Sequence, residues 1–278
     1  MKKGLSLHIG LNTVDPNHYA GWDGQLVACE NDAEDMKQIA VSKGFNATAL
    51  LTKEATSDKV IKAINDAAQS LESGDIFFLT YSGHGGQLKD LNNDEDDQLD
   101  ETWCLYDRQL VDDEINECFT KFKEGVRILS ASDSCHSGTV VKEAFFKTDL
   151  DMLNSNIDKN GRRYRFAPTA ILNKVYRQNK ELYDTILSNR KIKETKDKVK
   201  SSVLLISGCQ DNQLSLDGAF NGLFTGKLLA TWDNGNFDGS YIKFHKQIKK
   251  QMPPTQTPNY FWTGTYNKLF ESEKPFSI

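Results

Sequence analysis

Tyr81-Ser-Gly-His84-Gly-Gly86 and Ser130-Ala-Ser-Asp133-Ser-Cys135-His-Ser-Gly138 are the stretches that decide the fold. Each closes an apolar run, Asp75-Ile-Phe-Phe-Leu-Thr80 before the first and Gly125-Val-Arg-Ile-Leu129 before the second. Short apolar runs bounded by glycine and turn residues read as fully buried parallel strands. In an open α/β sheet, chemistry gathers just beyond the carboxyl ends of such strands. The two motifs therefore predict His84 and Cys135 side by side at one edge of a sheet. A cysteine beside a histidine is the minimum for thiol catalysis, because the thiolate attacks and the imidazole takes and returns the proton. The glycines that follow let a backbone approach closely and leave amides free.

On the N-terminal side, residues 5–11 alternate as a first strand and open into a turn-rich loop, 12–24, with Pro16 and two glycines. Asn31 and Asp32 suit the start of a helix through 41, where acidic side chains meet the positive end of the dipole, and Gly44 suits its stop. Residues 47–51 read as a strand. From 56 to 71, Val60, Ile61, Ile64, Ala67, Ala68 and Leu71 fall at helical spacing. This β–α–β–α–β order predicts a parallel sheet covered by helices. Beyond His84 come an acidic loop (89–101), a strand-like 102–106, and a helix over 112–122 with acids in its first turn. The pattern weakens from about 142 to 200 and reads there as an insertion or linker rather than core. Ser202-Val-Leu-Leu-Ile-Ser207 is again a buried strand; helices follow over 222–232 and 240–250, then a closing strand at 258–262.

Bulk composition adds limits. Of 278 residues, 26% are charged and 38% hydrophobic, which fits a folded domain rather than a disordered chain. The net charge of −5 gives no general attraction to nucleic acid or anionic membranes. No apolar run is long enough to span a bilayer, and Ser6 and His8 interrupt the N-terminal one, so a signal peptide is not expected. Cys29, Cys104, Cys118, Cys135 and Cys209 are odd in number and lack C-x-x-C pairing, which points to a reduced, cytoplasmic setting.

The histidine and cysteine motifs together resemble those of the metacaspases and their prokaryotic relatives among the caspase-like cysteine peptidases. The spacing of 51 residues matches the histidine found about 50 residues upstream in caspases. The cysteine motif departs from the animal pattern Gln-Ala-Cys-x-Gly. The resemblance covers the whole plan, with Ser-Gly-Cys209-x-Asp-x-Gln-x-Ser215 as marker of the second half. It implies that Cys135 attacks the scissile carbonyl, His84 protonates the leaving amine, and the amides of Gly85 and Cys135 hold the oxyanion. His136 is read as structural.

In metacaspases, acids matching Asp32 (in Cys29-Glu-Asn-Asp32) and Asp133 line the pocket for the residue before the scissile bond, and Ser82 belongs to the same constellation. Buried paired carboxylates prefer a cation, and arginine satisfies them with a fork that lysine lacks. Cleavage after Arg, with Lys second and Asp excluded by repulsion, is the expectation; the plainer alternative makes Asp32 a helix cap and Asp133 a turn residue. The acidic loop mimics EF-hand spacing but has Glu95 where that loop needs glycine, so a true EF-hand is rejected. Calcium-activated metacaspases use acids matching Asp100, Asp112 and Asp113; the fourth matching position is Lys142, which sets a cation against an activating calcium ion. Lys147, Arg162, Arg163, Arg165 and Arg190 lie in the weakly patterned segment and are candidates for self-cleavage, or simply a solvated basic face.

The combined expectation is one α/β domain, a caspase-like three-layer sandwich whose mainly parallel β-sheet carries helices on both faces. Residues 1–145 form a large-subunit-like half, 146–200 a linker or insertion, and 201–278 a small-subunit-like half. The expected activity is that of a monomeric, cytoplasmic cysteine endopeptidase acting on proteins with exposed Arg or Lys and needing no cofactor for its chemistry. The rivals are a catalytically silent interaction or regulatory module and a caspase-like peptidase of other specificity.

Overall fold

The computed structural model describes residues 2–89, 99–134, 156–157, 161, 163–189, 198–209 and 213–278. Nine strands form two sheets among these residues. β1 (Gly4–Gly10), β2 (Asn46–Leu51), β3 (Ile76–Ser82), β7 (Arg127–Asp133), β8 (Ser202–Ser207) and β9 (Asn259–Gly264) make the large sheet, in the order β2-β1-β3-β7-β8-β9. All its neighbours run parallel except β8 and β9. The small antiparallel sheet consists of β4 (Gly85–Lys89), β5 (Leu99–Cys104) and β6 (Gln109–Val111).

Two apolar layers sandwich the large sheet because successive strand residues point to opposite faces. Phe77, Leu79 and Ile128 pack with Val60 and Ile64 of α2 (Ser57–Ser70) and with Ile115 and Phe119 of α3 (Asp112–Thr120). Phe78, Leu129 and Leu204 pack on the other face against Met36 and Ile39 of α1 (Cys29–Ser42). The same face receives Phe224 and Leu228 of α6 (Leu223–Trp232) and Phe244 and Ile248 of α7 (Tyr241–Gln251). A short α8 (Lys268–Ser272) closes the chain. The three-layer α/β sandwich with a mainly parallel sheet is as the sequence predicts.

Local details differ from expectation in three places. Asp32 does not cap α1: the Cys29 and Glu30 amides donate to Asn12 Oδ1 at 3.0 and 3.3 Å, from the preceding loop. That releases the Asp32 carboxylate for the site. Second, the glycines after His84 begin β4 rather than a free loop, and β5 belongs to the small sheet. Third, part of the 146–200 segment is core. α4 (Thr169–Gln178) and α5 (Lys180–Leu187) bury Leu172, Val175, Tyr183 and Leu187 against Val14, Leu88 and Val111. Their apolar stripe is two residues wide per helix, and the charged outer faces dilute it in the sequence.

Candidate active site

Parallel pairing of β3 with β7 sets Ser82 opposite Asp133, so the two strands end level. His84 follows Ser82 by two residues, and Cys135 follows Asp133 by two. Ser134 is the last described residue of that strand end. Cys135 lies outside the described residues, as do the acidic stretch 90–98, His136, Lys142, Lys147, Arg162 and Arg190.

His84 is buried and held by Gly24 and Trp22. Its Nε2 donates to the Gly24 carbonyl at 2.8 Å, which assigns the proton to that nitrogen because a carbonyl can only accept. Trp22 packs on the ring with centroids 4.8 Å apart. Gly24 has φ of +56°, and a Cβ there would press on Trp22 and the imidazole, so glycine is required twice over. The Nδ1 is buried with no hydrogen-bond partner among the described residues. Burial lowers the imidazole to about 4, against smaller upward pulls from the Gly24 carbonyl and Asp217. At neutral pH the ring is therefore neutral, and with the proton on Nε2 the basic lone pair is on Nδ1.

Beside it, three carboxylates line one buried pocket. Asp32 accepts from Ser82 Oγ at 2.7 Å, from Asn221 Nδ2 at 3.0 Å and from the Gly222 amide at 3.0 Å. Asp133 accepts from Ser215 Oγ at 2.6 Å and from the Thr225 amide and hydroxyl at 3.0 and 2.9 Å. Asp217 accepts from the Val27 amide at 2.8 Å. Gln256 braces Ser215 Oγ and the Leu216 amide at 2.8 and 3.1 Å. Desolvation pushes the Asp32 carboxyl above the ordinary carboxylate range, with Asp133 nearby adding to it and Arg165 opposing it.

The cation in the pocket belongs to the chain itself. Arg165 is 0% exposed. Its Nη2 reaches Asp32 Oδ2 at 2.7 Å and Asp217 Oδ1 at 3.0 Å. Nη1 reaches Asp133 Oδ2 at 3.0 Å, Ser82 Oγ at 2.8 Å and the Asp133 carbonyl at 3.1 Å. Burial alone would lower the guanidinium, but Asp133, Asp32 and Asp217 outweigh it and hold it charged. Arg163, a neighbour in the sequence, instead donates to the Gln25 carbonyl at 2.6 Å near the surface.

The sequence located His84, Gly85, Asp32, Ser82 and Asp133, and the structure brings them together. Asp217, Ser215, Asn221, Thr225 and Gly24 were not singled out for the site. Their signal was thin: Asp217 stands two residues past the Ser215 that ends the second-half marker. Cys29, Cys104, Cys118 and Cys209 are buried. Desolvation raises the Cys118 thiol to about 12 and pushes Cys29 and Cys104 up as well, which suits none of those three to nucleophilic work. Asp100, Asp112 and Asp113 sit at one end of the small sheet. Among the described residues no group of three or more His, Cys, Asp or Glu could hold a metal ion.

A caspase-domain family model matches residues 13–270. Metacaspase-1 of Schizosaccharomyces pombe is 30% identical over 257 residues, covering 81% of this chain and 58% of that protein. Metacaspase-1 of Ajellomyces capsulatus is 28% identical, covering 90% of this chain and 76% of that one. The chain thus spans little more than half of the first of these relatives. The crystal structure of protein GSU0716 from Geobacter sulfurreducens superposes with a TM-score of 0.89 at 55% identity, covering 99% of each chain. Caspase-1 from Spodoptera frugiperda shares the fold with a TM-score of 0.56 at 12% identity, covering 95% of this chain and 86% of that one. From just past β1 to within α8, the chain belongs to the caspase-domain family of peptidases.

Proposed function

We propose that the protein is a cysteine endopeptidase that cuts after arginine, and after lysine more slowly, with Cys135 as nucleophile and His84 as proton carrier. The observation that carries this reading is the buried set of Asp32, Asp133 and Asp217 around one guanidinium, with Ser82 Oγ also accepting from its Nη1. Three anions in a dry site repel an acidic side chain, and a fork of donors meets them better than a single ammonium.

His84 Nδ1 supports the proton role: neutral at pH 7, it accepts the thiol proton and returns it to the leaving amine. The Gly85 amide, at the start of β4, is the backbone donor for the developing oxyanion. No described helix is long and apolar enough to cross a membrane. Asp100, Asp112 and Asp113 carry a separate proposal of calcium activation, against which Lys142 stands.

Matched fluorogenic peptides ending in Arg, Lys or Asp test the reading, each with calcium and with a chelator. Cleavage after Arg that disappears in Cys135→Ala is the expected result. An Asp-ending peptide cut as fast as the Arg one would refute the pocket, and full activity in Cys135→Ala would refute the nucleophile. Equal rates in calcium and chelator would remove the calcium proposal.

A further inference from the structure

Trp22 and Gly24, the two residues that hold the His84 ring, sit on the loop of residues 12–24, which has neither helix nor strand of its own. Its backbone is strained just before Trp22. Ala20 has φ of +58°, a region that residues with a side chain rarely adopt, and Gly21 follows with φ of +92°. Such a turn persists only where its surroundings over-determine it. Local hydrogen bonds do part of this, from the Gly21 amide to the Pro16 carbonyl at 2.8 Å and from the Trp22 amide to the Tyr19 carbonyl at 3.0 Å.

The rest comes from the α4–α5 hairpin, whose sequence reads as a linker. Lys174 Nζ of α4 donates to the Ala20 carbonyl at 3.2 Å, on the strained residue itself. Tyr183 of α5 sets its hydroxyl 2.8 Å from His18 Nε2, and that hydroxyl accepts from the Gln109 amide at 3.2 Å. Tyr183 is 0% exposed and shares an apolar cluster with Val14 and Tyr19, against which Ala20 and Trp22 pack. The Tyr19 hydroxyl donates to the Leu105 carbonyl at 2.8 Å, and its ring lies between those of His18 and Trp22, with centroids 5.2 and 6.1 Å away. Trp22 then meets the imidazole at 4.8 Å. Packing thus runs unbroken from α5 through His18, Tyr19 and Trp22 to His84.

We propose that the α4–α5 hairpin is a brace for the imidazole, with Trp22 and Tyr183 as positioning residues that keep the His84 ring in the one orientation its proton transfer needs. The proposal rests on His84 being the proton carrier. Trp22 acts on the ring directly, as a wall that stops it turning and keeps water off it. Tyr183 acts through the loop, by fixing His18 and Tyr19 and with them the turn that presents Trp22. Without the wall the ring turns, its Nε2 proton leaves the Gly24 carbonyl, and the lone pair is no longer confined to Nδ1. A misplacement of about 1 Å costs on the order of 100-fold in rate. The other groups facing the imidazole are the Gly24 and Phe166 backbones, Asp217 and Arg165, and neither substitution removes one of them.

Trp22→Ala, Trp22→Phe and Tyr183→Phe test the brace in two assays. With a fluorogenic arginine peptide, Trp22→Ala is expected to lower kcat about 100-fold while KM stays within about 2-fold, and Trp22→Phe to restore most of the loss. Tyr183→Phe, which removes one hydroxyl and keeps the ring, is expected to lower kcat about 10-fold. Heteronuclear NMR of the imidazole nitrogens, with His84 assigned by its absence from His84→Gln, reads the ring without substrate. Wild type should show one tautomer, protonated on Nε2; Trp22→Ala should show a mixture that titrates at higher pH, because the ring regains water. If Trp22→Ala does not fold, Trp22→Phe and Tyr183→Phe carry the test, since both keep an aromatic ring in place. Wild-type kcat in the Trp22 and Tyr183 variants overturns the inference. So does a loss of kcat with the His84 signals unmoved, or a loss confined to Trp22 that leaves the hairpin without a part. If wild type cleaves no arginine peptide, the proposed function fails, while the imidazole spectra still decide whether Trp22 and Tyr183 set the ring.

Discussion

Replacing Arg165 by Met in the Cys135→Ala background removes the charge while roughly keeping the volume. Asp32 retains donors from Ser82, Asn221 and Gly222, Asp133 keeps Ser215 and Thr225, and Asp217 keeps Val27. Three buried carboxylates would then face one another with no cation between them. Breaking a buried ion pair from one side costs about 3–5 kcal/mol, and the surviving donors put this case at the lower end. About 3 kcal/mol lowers the melting temperature of a domain this size by roughly 6–12 °C.

The pH dependence of that loss identifies its cause. Asp32 already sits above its ordinary value, and losing the cation moves it further up. A carboxyl raised in the folded state binds more protons than in the unfolded one, so the variant loses stability as pH rises and regains it as pH falls. The deficit against the parent should be largest near pH 8 and shrink towards pH 5, read by thermal melts across that range. A deficit that is flat with pH, or below about 1 kcal/mol at pH 8, would mean that the guanidinium does not balance these acids.

Other perturbations follow from the same geometry. Asp217→Asn removes one charged partner of the pocket cation and should lower kcat/KM for arginine peptides by about 10–100-fold, mainly through KM; unchanged kinetics would take Asp217 out of the pocket. A Cβ at position 222 would collide with Arg165 Nη1 and Asp133 Oδ2, so Gly222→Ala should abolish the binding of arginine peptides while leaving the fold intact by circular dichroism. His8 and His84 are held neutral by burial, at about 3 and about 4, so both bind protons more weakly folded than unfolded. Stability should therefore be complete above about pH 6.5 and fall as pH drops towards 4, and His8→Gln should flatten that slope in denaturant titrations.

The parallel core and the strand-end position of His84 were legible because a fully buried strand leaves a continuous apolar run, as in Ile76-Phe77-Phe78-Leu79, and a motif must follow it. Asp32, Ser82 and Asp133 were legible through the family resemblance. Asp217, Asn221 and Thr225 were not, because their partners stand 52, 189 and 92 residues away in sequence and no local period marks them. Arg165 appeared only as one of several basic residues in a polar stretch. Its burial depends on three carboxylates supplied by separate parts of the chain, a property no window of sequence contains.

The order of strands in the large sheet has a consequence for a cleaved molecule. β7 and β8 lie on opposite sides of position 165 in the sequence, yet pair in parallel from Arg127 opposite Ser202 to Ser132 opposite Ser207. α4 and α5, beyond the same point, pack on residues that precede it. A chain nicked between Arg165 and Phe166 would therefore stay one particle in gel filtration and separate into two bands only in denaturant. Covalent continuity at that position contributes little to holding the halves together, because the sheet itself is the joint.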